Sequence, residues 1–84
     1  MARFSLAKAL FDAGRFADSL PHLQKALEKK PDWMVVQILI GKAHLSLGDR
    51  ESARQAFLRG RQLAVEQHHE GPEAELEALL ADLG

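Results

Sequence analysis

Residues 33–47 read WMVVQILIGKAHLSL. Ten of these fifteen are apolar, and a lone Gly41 interrupts them. On a helix, Gln37 and His44 lie seven apart and share one edge, while Lys42 and Ser46 share roughly the opposite edge. Apolar residues fill the arcs between. A helix apolar nearly all round is buried on more than one face. The stretch is therefore predicted to be a central helix, Trp33 to Leu47, with other helices packed on both sides.

The flanking punctuation extends the pattern. Pro31 stops a preceding helix, Phe16 to Lys29, whose stripe is Ser19, Leu20, Leu23, Ala26 and Leu27. Pro21 leaves two starts open. One is at Phe16 with a kink, and the other is capped by Asp18 with the proline in the first turn. Asp32 is the expected N-cap of the central helix. Gly48 closes that helix and Asp49 caps a fourth, which carries Ala53, Ala56, Phe57, Gly60 and Ala64 inward and runs to about His68. Upstream, residues 2–13 form a first helix with Phe4, Lys8 and Phe11 on one face, Leu6, Ala7 and Leu10 on another, and Gly14 at its end. No capping sequence precedes it, as expected of a piece of a longer protein. Downstream, Gly71-Pro72 is expected to break the chain before a fifth helix, Pro72 to Leu83, with the one-sided stripe Leu76, Leu79, Leu80, Leu83.

Composition narrows the function classes. Eighty-four residues make one small domain or part of an array. The net charge of −1 lacks the basic excess of nucleic-acid and membrane-surface binders. With no cysteine there is neither a disulfide framework nor a Cys-based zinc site, in keeping with a cytoplasmic protein. Lys8 and Asp12 interrupt the N-terminal apolar residues, so no signal peptide is read, and no apolar run approaches a membrane span of about 18 residues. The charge is segregated. Residues 1–65 hold all eleven Lys and Arg with six acids, whereas residues 66–84 hold six acids and no base.

Sliding the chain by 34 residues superposes Gly14 on Gly48, Lys8 on Lys42, Ala9 on Ala43, Phe4 on Ile38, Phe11 on Leu45, Leu23 on Phe57 and Ala26 on Gly60. The first copy reads Leu6, Ala7, Leu10, Gly14, Ser19, Leu23, Ala26, Pro31. The second reads Ile40, Gly41, His44, Gly48, Ala53, Phe57, Gly60, Val65. This small–large pattern at a 34-residue period resembles the tetratricopeptide repeat family, with His44 and Val65 as departures from its usual aromatic or leucine and its proline. The resemblance covers about residues 2–65. It implies an all-α fold, a right-handed α-solenoid of antiparallel helical hairpins with five helices. Its parts are a repeat over about 2–32, a second over about 33–68 and a capping helix over about 72–83. Arg54 and Arg61, standing where the first repeat has Leu20 and Leu27, are expected to face the acidic fifth helix near Glu73 or Glu77.

The resemblance also implies a site. In this family ligands lie across the first helices of successive repeats. Mapped by position, that peptide-binding groove is Phe4, Lys8, Phe11 and Asp12 from the first repeat and Val35, Ile38, Lys42, Leu45 and Ser46 from the second. An apolar stripe with two ammonium groups suits an amphipathic helix or extended peptide bearing acids. The rival reading gives the same face to packing on further repeats or on a second copy of the chain, a homodimer. Family members that grip a terminal carboxylate use basic and amide residues along this groove. Here the equivalent places hold Phe4, Ser5, Leu39 and Ile38, so only Lys8 and Lys42 are left to serve and a chaperone-tail clamp is not expected.

Other chemistries fare worse. Glu66, His68, His69 and Glu70 are possible metal ligands by type, but adjacent helical histidines diverge by about 100° and no further ligands are evident. A solvated helix end is the better reading. His22 and His44 occupy packing positions. None of the four serines has a G-x-S-x-G context, and no phosphate loop, dinucleotide fingerprint or H-E-x-x-H occurs. Arg50, Arg54, Arg59 and Arg61 cluster on the fourth helix as in a DNA-binding helix–turn–helix, against the pI, the acidic end and the 34-residue repetition. The sequence thus predicts a non-enzymatic module that binds a protein or peptide, without metal, cofactor, nucleic acid or membrane. The alternative is a structural segment that caps a longer array or self-associates.

Overall fold

The structure, a computed structural model, describes residues 2–83, and side chains from Phe4 onward. Five helices follow in order: α1 (Ala2–Asp12), α2 (Phe16–Lys29), α3 (Met34–Ser46), α4 (Arg50–Glu66) and α5 (Glu70–Leu83). Each packs chiefly on its neighbours in the chain, giving the hairpins α1–α2 and α3–α4 and a final helix laid against α4. Among the described residues there is no strand. The architecture is the expected all-α solenoid.

Two hydrophobic cores lie on either side of α3. One joins Ala7, Leu23 and Ala26 to Val36, Leu39 and Ile40, with Ala56 reaching in from α4. The other joins Met34 and Ile38 to Ala53, Phe57, Leu63 and Ala64 of α4 and to Leu76 and Leu83 of α5. This explains the all-round apolar character of residues 33–47. It also corrects one detail of the sequence reading. Ile40 packs into the core of the first hairpin rather than on its own hairpin, where Gly41 meets Phe57 instead. Full burial of a side chain such as Leu23, Phe57 or Leu76 contributes about 1.5–3 kcal/mol, so the helix stack is held mainly by these contacts.

The turns reuse one device. Gly14 and Gly48 take the left-handed conformation, with φ of 80° and 86°. The following residues donate back to the last helical turn, Arg15 to the Leu10 carbonyl and Asp49 to the His44 carbonyl. This is the Schellman closure of a helix end. A third copy ends α4, where His69 donates to the Ala64 carbonyl and His68 takes the left-handed place at φ 58°. The expected break at Gly71-Pro72 is thus displaced. α4 stops at Glu66 and α5 begins at Glu70, with Gly71 and Pro72 inside its first turn, where a missing proline N–H costs nothing.

Two other expectations separate. Asp49 does cap α4, its carboxylate accepting the Ser52 N–H at 3.1 Å. Asp32 does not cap α3. The N-cap residue is Trp33, without a side-chain cap, and the Asp32 carbonyl instead accepts from the Gln67 side chain at 3.0 Å. α2 takes the Phe16 start with Pro21 internal, so the Ala17 carbonyl lacks its usual N–H partner. Ser19 is fully buried and satisfies its hydroxyl on the Phe16 carbonyl at 2.8 Å.

The two small positions that admit close helix approach differ in tolerance. A Cβ on Gly41 would stand 2.5 Å from the fully buried Phe57 ring, whereas one on Gly60 would meet Leu76 at an ordinary 3.4 Å. Gly41→Ala is expected to destabilise, because overpacking of about 1–3 kcal/mol exceeds the roughly 1 kcal/mol gained in helix propensity. Gly60→Ala should be neutral or stabilising. Urea midpoints of the two variants against the parent chain check the contrast.

The cap at Asp49 also carries a pH dependence. Hydrogen bonds from Ser52, side chain and then backbone, hold the carboxyl below the ordinary aspartate range. Its contribution is complete above the unfolded-state value, near 4, and is lost as pH falls through the lower folded-state value. Asp49→Asn keeps an acceptor oxygen but cannot titrate. The drop in melting temperature between pH 7 and strong acid should therefore be smaller in that variant, as thermal scans by circular dichroism would show.

Candidate binding face

The face mapped from the repeat pattern is only partly free. Val35 is 48% exposed, and Lys8, Asp12 and Ser46 are exposed around it. Ile38 corrects the sequence reading. It is 8% exposed and belongs to the core between α3, α4 and α5, close to Leu76, so it offers a ligand almost no surface. Leu45 is half-buried against the same core. The reason is α5, whose stripe covers the flank of α3 that a two-hairpin reading leaves open.

The aromatic members are engaged by one another. Phe4 stacks on Trp33 with ring centroids 4.7 Å apart, bridging α1 to the start of α3. Phe11 meets Phe16 edge to face at 5.1 Å. Both phenylalanines remain half-exposed, so they combine hairpin packing with surface apolar area. Trp33 escaped the mapping because its 34-residue counterpart would precede Met1, leaving no repeat signal. The Lys30 ammonium lies 5.7 Å from the Trp33 ring centre, and Val35 flanks the same shallow concavity.

Both lysines already have acids in reach. Lys8 Nζ stands 2.9 Å from Asp12 Oδ2, one helical turn on. Lys42 Nζ stands 3.6 Å from Glu75 Oε2, across from α3 to α5. Glu75 could not be found from the repeat, since its counterpart at 34 residues is Gly41 and α5 keeps a different register. Exposed pairs of this kind contribute roughly 0–1 kcal/mol, so an incoming carboxylate can exchange with either acid at small cost.

The expected arginine contacts divide. Arg61 faces Glu77 at 3.6 Å, as predicted. Arg54 meets neither Glu73 nor Glu77. It points to the last turn of α5, where Arg50 and Arg54 donate to the Leu83 carbonyl at 3.0 and 3.4 Å. Cationic groups on terminal carbonyls complement the negative end of the helix dipole. His44 is a packing histidine beside Asp49, 3.9 Å away. Among the described residues no group of three or more His, Cys, Asp or Glu is placed to hold a metal ion, and no helix is long and apolar enough to cross a membrane.

Comparison with known proteins bears on this geometry. The sequence profile of the family described as Tetratricopeptide repeat matches residues 10–83. Over 74 residues the chain is 42% identical to the Hsp70-Hsp90 organizing protein of Triticum aestivum, a match that takes in 88% of this chain and 12% of that protein's length. Among solved structures, one from Bordetella parapertussis superposes with a TM-score of 0.88 at 34% identity, over 96% of this chain and 70% of that one. A tetratricopeptide repeat domain protein from Salinibacter ruber superposes with a TM-score of 0.86 over 98% of this chain and 83% of that one. At 20% identity this is a likeness of fold alone.

Trp33 is the sole tryptophan, so its emission reports this face directly. Phe4→Ala should shift that emission to the red by uncovering the indole. It should also cost at least the roughly 0.5–1.5 kcal/mol of the aromatic pair, read from the same fluorescence during urea unfolding.

Proposed function

This chain belongs to the tetratricopeptide repeat family, a protein–protein interaction module, and we propose that it works without catalysis by holding an acidic, partly apolar peptide or helix against α1 and α3. The observation that carries this reading is the pair Lys8 and Lys42, one per hairpin at the same repeat position, set beside exposed apolar surface at Val35, Phe4 and Phe11. Ligand acids replace Asp12 and Glu75 at the two ammonium groups, and the half-exposed rings supply apolar contact. The repeats are residues 2–32 and 33–68, with α5 as the closing helix. In support of that closing role, Leu76 and Leu83 are buried and two arginines hold its last carbonyl. The chain acts in the cytoplasm, in keeping with its lack of cysteine.

The identity to a segment of the Hsp70-Hsp90 organizing protein favours chaperones as the first partners to try. The face departs from a full carboxylate grip, with Phe4, Ser5 and Leu39 at places where such a grip needs basic or amide groups. Binding to Hsp70 or Hsp90 is therefore expected to depend on internal acidic segments and to survive loss of the chaperone's terminal carboxylate.

The test is affinity capture followed by titration calorimetry on the captured protein, with the parent chain and Lys8→Glu/Lys42→Glu in parallel. Both substitutions are at solvent-facing side chains, so helicity should be unchanged. Affinity should fall about tenfold or more, and more steeply at low salt than at high salt. Equal affinity of the two chains for the captured protein would overturn the assignment.

A further inference from the structure

α2 and α4 carry clefts that are 34-residue translates of each other. The first is lined on α2 by Gln24, Leu27, Glu28 and Pro31, and adding 34 to each number gives the α4 cleft, Leu58, Arg61, Gln62 and Val65. The first cleft has a second wall, Gln37 and Arg59, supplied by the following hairpin. The second is lined by α4 alone, because α5 has no partner helix to complete it. The unwalled cleft is also the more apolar one. Leu58 replaces Gln24 and Val65 replaces Pro31, and they are 42% and 49% exposed. The outer face of a terminal repeat is normally polar, since solubility requires it. Here the substitution runs the other way.

We propose that this cleft is closed by α4 of a second copy of the chain, in an antiparallel twofold pair. The patch is self-complementary in that arrangement. Leu58 and Val65 stand seven residues, two helical turns, apart on one ridge. A twofold axis passing between Arg61 and Gln62 sets Leu58 on the partner's Val65 and Val65 on the partner's Leu58. Side chains on a helix lean toward its N-terminus, so Arg61 and the partner's Glu66 lean toward each other across the axis, twice by symmetry. Arg61 then lies between Glu77 of its own α5, at 3.6 Å, and the partner's Glu66. The contact is isologous and closes at two copies, so it does not propagate into a fibre. Two hairpins are fewer than the roughly three repeats that usually make such a stack stable, and a net charge of −1 offers little resistance to association. The surface is separate from the face carrying Lys8 and Lys42, so the pair forms whether or not that face binds a peptide.

Sedimentation equilibrium from about 10 μM to about 1 mM, the range of weak specific association, tests the proposal. The parent chain should rise from 9.3 kDa toward twice that mass. Leu58→Lys/Val65→Lys should stay at the monomer mass at the highest concentration with unchanged far-ultraviolet dichroism. Glu66→Arg, which faces the partner's Arg61, should weaken the pair about tenfold. A parent chain that remains monomeric at 1 mM overturns the proposal, as does a dimer that survives the double lysine substitution. A dimer unchanged or strengthened by Glu66→Arg overturns the antiparallel arrangement.

Discussion

The molecule depends on α3 having no idle side. Val36, Leu39 and Ile40 complete the core of the first hairpin, and Met34 and Ile38 complete the core shared with α4 and α5. One helix thus serves as a wall of two cores, which is possible only if its backbone can approach α4 closely at Gly41, over the Phe57 ring. The small residue at that point is a packing requirement rather than a turn signal. The remaining interfaces follow from it, since α2 and α4 are positioned by what they bury against opposite flanks of α3.

The same constraint shapes the binding face. A helix packed on two sides keeps only a narrow strip for solvent, and in α3 that strip is Val35, Lys42 and Ser46. α1 has a neighbour on one side only, so it contributes more surface, including Leu6 at 47% exposure. Leu6 is the repeat counterpart of the buried Ile40, so equal positions in the two hairpins differ in burial because their neighbours differ, not because their local structure does. The face is therefore asymmetric, broad and partly aromatic on α1 and narrow and charged on α3.

Much of the fold was legible because packing repeats write themselves as spacing. The 34-residue recurrence of Gly14 and Gly48, and of Leu23 and Phe57, fixed the hairpins. The all-round apolar run fixed α3 at the centre, and the leucine stripe identified α5. The misreadings share a cause. Glycine and proline at 71 and 72 are strong breakers in isolation, yet His68 takes the left-handed turn because the Ala64 and Val65 carbonyls are satisfied there, leaving Pro72 free to sit in a first turn. Asp32 has the right chemistry for a cap, but Pro31 and the turn place Trp33 at the helix entrance. For the site, the repeat located Lys8, Val35 and Lys42, while the burial of Ile38 and the pairing of Lys42 with Glu75 come from α5, which stands outside the repeat register.

Every main helix interface joins elements adjacent in the chain: α1 with α2, α2 with α3, α3 with α4, and α4 with α5. Such a molecule closes no large loop as it forms. The entropy of bringing distant segments together, which slows sheet proteins, is largely absent, and folding times of microseconds to milliseconds are the natural range. Locality also grades the exits. Removing α1 or α5 breaks one core and leaves the other, so the chain should open from its ends inward, with α3 the last helix to lose protection from solvent exchange.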